Sequence, residues 1–344
     1  MPALNHFGLD IGTHSIKAVQ LGGQDTRPVF IAAGQVLTPA QSGTDSEQDI
    51  FVVAETIKKL HQEAHISTDK AVTSLPESQI FTRVVELPNL TEKEVRSAIQ
   101  WEAEQYVPIP MSEVRLDWQV LSKPKQSNNS EKVEVLLVAA PKVLIDRYLG
   151  ILKAAGLTAI ALETEITAVV RSLVQRVEGT PTTMVISVGA STTDISIVTA
   201  NQISFTRSIA TGGFALARGV AQELGFELDQ ATEYTKTYGL DATQLEGKVM
   251  QAIKPIFDVV VNEIRRALAF YASKHPEAPV KRIVLTGGTA NLPGLVLYLA
   301  ESLGLEVQLG NPWEGISLPS QVSQRLIQGG TSYTVAVGLA LKSI

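Results

Sequence analysis

The chain has 344 residues, a formal net charge of −6 and no cysteine, with 44% hydrophobic and 19% charged residues. That length calls for more than one core. The acidic balance argues against a nucleic-acid surface, and the missing thiols exclude a disulfide framework and thiolate zinc sites.

No basic segment followed by a long apolar one opens the chain, and no apolar run nears the ~20 residues of a membrane span. A cytoplasmic location is therefore expected. Residues 7–21 read as two short apolar strands around the turn Gly12-Thr13-His14-Ser15, a β-hairpin with a small polar tip. The backbone N–H groups of such a tip can approach an anion closely. Asp10, ending the first strand, repels phosphate itself but can hold a hydrated Mg²⁺ that bridges to phosphate oxygens. Lys17, on the second strand, reads either as a phosphate contact or as a solvated strand residue. A third strand is expected over 29–36.

A polar surface loop follows at 38–49, then a helix over 50–64 with Ile50, Val53, Ile57 and Leu60 on one side. His61 and His65 lie four apart on it with no third ligand nearby, so they read as helix-surface residues. After a strand at 70–75 the pattern changes. Residues 78–87 are strand-like and stop at Pro88. Thr91-Glu-Lys-Glu94 is a capping box opening a helix that ends before Pro108-Ile-Pro110. Two strands, 117–121 and 131–140, flank a polar loop at 122–130. A helix over 142–155 closes on Gly156. Residues 78–158 thus form a mixed module inserted between a strand at 70–75 and another at 158–162.

A helix beginning near Thr164 leads to a second copy of the opening pattern. Residues 184–198 are again strand, glycine-hydroxyl turn, strand, with Gly189 in the place of Gly12 and Thr192 in the place of Ser15. Another strand follows at 202–207. The offset of about half the chain implies two related halves. Thr211-Gly-Gly213 opens a helix ended by Gly225. Helices over 226–238, capped by Asp229, and 244–273, kinked or split at Pro255, come next. A buried-type strand over 280–286 ends in Gly287-Gly288, with a helix following Pro293. Residues 332–341 form a last helix of small residues suited to close packing on the first half.

Paired glycine tips followed by the Gly287-Gly288 segment resemble the actin, sugar-kinase and chaperone superfamily, in which a nucleotide is held between two lobes. A sharper resemblance lies in Ser74-Leu-Pro-Glu-Ser78, Glu86-Leu-Pro-Asn-Leu-Thr-Glu-Lys-Glu94, Ile99-Gln-Trp-Glu-Ala-Glu-Gln-Tyr-Val-Pro-Ile-Pro110 and Leu116-Asp-Trp-Gln-Val-Leu121. These strings resemble the PilM family of type IV pilus assembly. FtsA of cell division is a cousin that shares the placement of the inserted module.

The resemblance implies an α/β, actin-like ATPase fold of two duplicated RNase H-like lobes with an inserted α+β subdomain. Its subdomains would be IA (1–77, 159–178 and 328–344), IC (78–158), IIA (179–210 and 281–327) and IIB (211–280). It implies ATP and Mg²⁺ as cofactors, with Asp10 holding the metal through water. The partner it implies is the N-terminal cytoplasmic tail of the inner-membrane protein PilN, in a groove between IA and IC, with PilO and PilP beyond it. The membrane is then reached only through that partner, and self-association is left open.

Carried over residue by residue, Asp10, Gly12, Thr13, His14, Ser15 and Lys17 match the first phosphate motif. Gly189, Ala190, Ser191 and Thr192 match the second, and Gly212 and Gly213 the glycine pair beside the phosphates. Glu233 and Lys236 match an acid and lysine that contact ribose and adenine, although spacing alone reads them as a surface ion pair. Gly287, Gly288, Thr289 and Leu292 match the adenosine motif. His14 stands where the family usually has a small hydroxyl residue. Ser187 stands where the superfamily has a metal-ordering aspartate, and Asp194, on the next strand, is not expected to replace it. Asp10 and Glu163 are the candidate catalytic residues; Glu163 and Glu165 sit where a water-orienting residue could act, or serve simply as acids at a helix N-terminus. The expected activity is an ATP-binding scaffold of pilus assembly that is at most a slow ATPase. An FtsA-like division protein and an actin-superfamily ATPase or phosphotransferase are the alternatives.

Overall fold

The computed structural model describes residues 5–24, 27–39, 47–88, 92–121, 133–174, 181–320 and 322–343. Its first sheet is built from β1 (Phe7–Ile11), β2 (Ser15–Gln24), β3 (Arg27–Leu37), β4 (Lys70–Leu75) and β8 (Thr158–Thr164), in the order β3-β2-β1-β4-β8. A second sheet contains β9 (Thr183–Val188), β10 (Thr193–Thr199), β11 (Gln202–Ile209), β12 (Arg282–Thr286) and β13 (Glu306–Leu309), in the order β11-β10-β9-β12-β13. Each sheet therefore has an antiparallel three-strand meander followed by two strands that run parallel to its first. The repeat seen as two glycine turns in the sequence is a repeat of whole topology.

The first three residues of β1 are fully or nearly fully buried because helices cover both sheet faces. On one face lie α1 (Glu47–Glu63) and α3 (Lys142–Ala154), whose Ile57, Leu60, Ile151 and Leu152 share a core with Phe7 and Leu9. Each such side chain contributes about 1.5–3 kcal/mol by leaving water. On the other face lie α4 (Glu165–Leu173) and α10 (Thr334–Ala340). Close approach there depends on small residues. A Cβ on Gly8 would lie 2.6 Å from Ala340 N and 2.8 Å from Leu339 Cβ, and one on Gly338 would lie 2.5 Å from the Ala168 carbonyl carbon.

The inserted module carries a three-stranded antiparallel sheet in the order β5-β7-β6: β5 (Phe81–Leu87), β6 (Val114–Val120) and β7 (Val133–Pro141), with α2 (Glu92–Tyr106) over it. The helix α3, expected within this module, instead packs on the first sheet. Its apolar stripe faces α1, and a segment buried there cannot also cover the module. In the second lobe α5 (Gly213–Leu224), α6 (Leu228–Tyr238) and α7 (Lys248–Lys274) join the sheet in one continuous core, with α8 (Leu295–Leu303) against it.

Local expectations differ in three places. α7 runs unbroken through Pro255, which sits in its second and third turns where packing of Ile253 and Phe257 holds the helix together. Asp229 lies inside α6, one residue past its start, and not at the cap. Asp49 is a buried residue of α1, not part of a surface loop. The short α9 (Gln324–Gln328) and β13 had no clear periodic signal. The capping Thr91 and the loop at 122–130 lie outside the described residues. Among the described residues no helix is long and apolar enough to cross a membrane.

Candidate functional site

The two hairpin tips meet. The strands β1 and β2 pair Asp10 with Lys17 and Ile11 with Ile16, leaving 12–14 as the turn. β9 and β10 pair Val188 with Thr193 and Ser187 with Asp194. Across the cleft, Ser191 Oγ donates to Thr13 Oγ1 at 3.1 Å, and the His14 ring stands edge-on to Phe214 with centroids 5.7 Å apart. Two tips from opposite halves of the chain thus enclose one small region.

Glycine is required where backbones crowd. A Cβ on Gly12 would lie 2.9 Å from Ser15 O, and one on Gly212 would lie 2.7 Å from Gly189 O. Gly189 and Ala190 carbonyls accept from the N–H groups of Gly213 and Phe214 at 3.0 and 2.8 Å, so the α5 N-terminus is clamped onto the second tip. Thr289 donates its hydroxyl to Gly189 O at 2.9 Å and its N–H to Val188 O at 3.0 Å. This draws the Gly287-Gly288 segment to the same place. Leu292 packs in the lobe core and closes the turn by donating its N–H to Thr289 O at 3.2 Å, so it shapes the segment from behind.

Lys17 is buried, with Nζ 3.4 Å from Asp10 Oδ2 and 3.4 Å from Ser15 O. It is not a solvated strand residue. Glu233 and Lys236 form an exposed pair on α6 with Nζ and Oε1 3.4 Å apart.

Two acids change places relative to the sequence reading. Glu163 does not face the cleft. Its carboxylate takes a two-pronged ion pair from Arg171 at 2.6 and 2.8 Å and a third contact from Lys342 at 3.0 Å. On a continued strand Glu163 and Glu165, two apart, would share a face, but β8 ends at Thr164 and the turn into α4 sends Glu165, its first residue, to a different side from Glu163. Thr164 caps that helix by accepting from Thr167 N.

Asp194, in turn, lies directly opposite Ser187, and directly paired residues share a sheet face. The carboxylate missing from β9 is therefore supplied by β10 on the same side. Its Oδ2 accepts from Thr192 Oγ1 at 3.1 Å, while its buried Oδ1 has no partner. Together Glu165, Ser187, Asp194 and Ser196 line a small, partly open pocket of about 10 Å³ between α4 and the second sheet. That is about the least space that holds one water molecule.

Glu77, between β4 and β5, was not recognised in the sequence. It is buried, accepting from Ile166 N at 3.1 Å and from Thr82 Oγ1 at 3.0 Å. An acid directly after the buried run ending Leu75-Pro76 was the available signal.

Burial pushes these carboxyls upward. Glu77 rises to about 7 through burial and the Asp194 charge. Asp194 rises to about 6 through burial. Glu165 lies well above the usual range through burial and then Asp194, Asp10 and Glu77. A carboxyl with a raised folded pKa binds more protons in the native state than in the unfolded one, so its contribution to stability is lost as pH rises. In EDTA, the melting temperature is expected to be higher near pH 5 than near pH 8, with the loss between the ordinary carboxylate range and about pH 7. Glu77→Gln should flatten the curve. Calorimetry across that range checks it, and a melting temperature that rises with pH would contradict it.

The residues fit a Mg²⁺-nucleotide on geometry of their own. The tips offer a cradle that a Cβ would fill, and Asp194 presents an unpartnered buried oxygen. Among the described residues no three acids or histidines converge as ligands. A cation there would rest on Asp10, water and phosphate oxygens.

A second feature lies on the far side of the first lobe. A groove of about 1190 Å³ runs between the module and the first lobe. Leu136 and Val138 of β7 form one wall, Leu162 and Val170 of β8 and α4 the other, and the edge strand β6 borders it, with Leu116 and Trp118 turned to the module core. Asn201 of the β10–β11 turn and Gln202 and Ile203, which open β11 of the second lobe, close it. β6 is the open edge of its sheet. Glu163, Arg171 and Lys342 lie along this groove.

Duplicated lobes with facing glycine tips and a module inserted in the first define an actin-like protein. A solved structure of a PilM-PilN type IV pilus biogenesis complex superposes with a TM-score of 0.86 at 27% identity, covering 99% of this chain and 98% of that one. The family "Type IV pilus assembly protein PilM" matches residues 8–344, and the chain belongs to that family.

More distant structures share the fold alone. The ethanolamine utilization protein EutJ from Carboxydothermus hydrogenoformans matches at TM-score 0.57 and 16% identity, covering 100% of this chain and 90% of that one. MreB 5 of Spiroplasma citri, solved bound to AMPPNP, matches at 0.51 and 12%, covering 97% and 94%. The cell division protein FtsA of Neisseria meningitidis serogroup B (strain ATCC BAA-335 / MC58) is 30% identical over 165 residues, which are 40% of this chain and 38% of FtsA. The chain thus matches well under half the length of that curated relative.

Proposed function

We propose that this protein works at the cytoplasmic face of the inner membrane as a scaffold of type IV pilus assembly. In this reading it holds ATP with Mg²⁺ between its lobes and the N-terminal tail of PilN in the groove beside the module, and through PilN it meets PilO and PilP. The observation that carries the reading is the groove itself. It mixes apolar side chains such as Leu136, Val138, Leu162 and Val170 with polar ones and is bordered by an edge strand, which suits an extended peptide that adds main-chain hydrogen bonds to a sheet and drops alternate side chains into pockets. The similarity to a solved PilM-PilN complex supports the same occupant.

The nucleotide half rests on the paired tips, the two buried acids Asp10 and Asp194, and relatives of the same fold, one of them solved with AMPPNP. In the cleft, Asp10 would hold the metal's water shell and Glu165 would orient a water near it. Asp194 faces Glu165 across the lobe boundary. Glu165, whose carboxyl is held well above the usual range by burial and then by the Asp194 and Asp10 charges, is poorly suited to rapid general-base work at neutral pH without a cation, which favours slow hydrolysis.

A synthetic PilN tail peptide titrated into the full chain tests the proposal. Saturable 1:1 binding is expected with and without Mg-ATP, with phosphate release far below one per second. Absence of peptide binding in both states, or turnover of several per second lost in Asp10→Ala, would overturn it.

A further inference from the structure

His14 is the residue of the first tip that departs from the small hydroxyl expected there, and the structure gives it a defined setting. It sits at the turn whose backbone faces the second tip, with its ring edge-on to Phe214, the second residue of α5. That contact spans the two lobes at the mouth of the cleft. The charges of two lysines from different elements, Lys236 of α6 and Lys17 of β2, are felt at the same ring. Each is already turned toward one acid: Lys17 toward Asp10 and Lys236 toward Glu233, both at 3.4 Å. Phe214 is neutral. The charges facing His14 from the packed elements are thus two cations, with their paired acids behind them.

We propose that His14 is a third cation of the polyphosphate slot, taking up one proton as a nucleoside di- or triphosphate enters. This rests on the nucleotide reading above. In the empty cleft, partial burial and then the Lys236 and Lys17 charges hold the imidazole below its ordinary value. A polyphosphate placed between the tips brings several negative charges to the ring and screens both lysines. An opposite charge within about 4–6 Å raises a group's pKa by about one to three units. His14 therefore crosses neutral pH on binding, the one range in which imidazole changes charge readily. The small hydroxyl that the family resemblance led us to expect at this turn position would donate one hydrogen bond at any pH. His14 instead makes the grip of this chain conditional on proton activity. Its sign follows directly: affinity rises as pH falls through the bound-state value, and levels off below the free-state value.

The test is calorimetry of Mg-ADP binding to the full chain at pH 7 in two buffers of different ionisation enthalpy. The wild type is expected to take up a measurable fraction of a proton more than His14→Gln or His14→Ser. Between pH 8 and pH 6 its affinity should gain several-fold over theirs, with a ceiling of about tenfold per pH unit for one proton. The titration of the nucleotide's own phosphate is common to all three chains and cancels. In the NMR spectrum the His14 ring resonance should titrate at higher pH with Mg-ADP than without. Equal proton uptake in all three, or a His14 titration unmoved by Mg-ADP, overturns the inference while leaving nucleotide binding intact. Failure of the wild type to bind Mg-ADP or Mg-ATP at any pH overturns both.

Discussion

Gly287→Ala is expected to abolish nucleotide binding and to lower the melting temperature of the protein on the order of 10 °C. Gly287 has φ +95°, a left-handed backbone that L side chains rarely adopt, and a Cβ there would lie against the Val188 carbonyl, 2.7 Å from its carbon and 2.8 Å from Val188 N. Neither partner can yield, because Val188 is the last residue of a central strand and Thr289 N donates to its carbonyl. The strained backbone costs about 1–3 kcal/mol and the forced overlap a similar amount. About 3–5 kcal/mol in total corresponds to this shift at about 2–4 °C per kcal/mol in a lobe of this size. Gly288→Ala separates the two effects. Nothing lies within 4 Å of its Cβ position and its φ is ordinary, so the fold should melt within a few degrees of wild type. Thermal melts and Mg-ATP titrations of the pair check this, and a Gly287→Ala chain that melts and binds as wild type would refute the packing argument.

The tips could be read in the sequence because glycine and hydroxyl residues between apolar runs encode a local turn, and because the same grammar returns at Gly189. The order of the strands was less explicit, yet a repeat of the meander implied a repeat of the sheet. What failed to show was anything decided by which way a side chain points at the end of an element. Glu163 and Glu165 are two residues apart and alike in composition. Only the passage from β8 into α4 sends one to Arg171 and the other to the cleft. Asp194 was set aside because it lies on a neighbouring strand, but the pairing with Ser187 makes it a neighbour in space on the same face. The placement of α3 was likewise decided by the α1 surface it covers, and no spacing within α3 itself names that partner.

The two sites share walls. The β10 strand carries Asp194 into the cleft at one end, while Asn201 of the turn at its other end, with Gln202 and Ile203 of β11, closes the groove. The module is tied to the second lobe as well as the first: Thr206 Oγ1 donates to Thr82 O at 3.1 Å, and Lys274 pairs with Glu86 at 3.0 Å. Thr286, ending β12, meets Thr334 of α10 at 2.6 Å and accordingly pins the lobes at a common joint. A rotation of the lobes about that joint changes the cleft and the groove together. On the proposed reading, free energy that a nucleotide contributed to one arrangement would be felt by the groove's occupant, and reciprocally.

Trp118→Ala should weaken binding of the PilN tail peptide by tens to about a thousandfold. Trp118 lies on the edge strand β6, lines the groove and packs on the module core with Leu116 two residues before it. A half-buried aromatic on the edge strand that an extended peptide would pair with is the kind of residue whose truncation costs about 2–4 kcal/mol of binding. Because Trp118 pairs with Leu137 in the module core and is no part of the glycine tips, its loss should leave Mg-ATP affinity of the peptide-free chain unchanged. Trp101→Ala is the control. That residue is exposed on α2 and lines no part of the groove, so peptide affinity should stay within about twofold. Calorimetric titration of both variants separates the outcomes. Equal losses would point to a general softening of the module, and no loss in Trp118→Ala would place the peptide elsewhere. A loss confined to Trp118→Ala ties the partner to the module side of the groove.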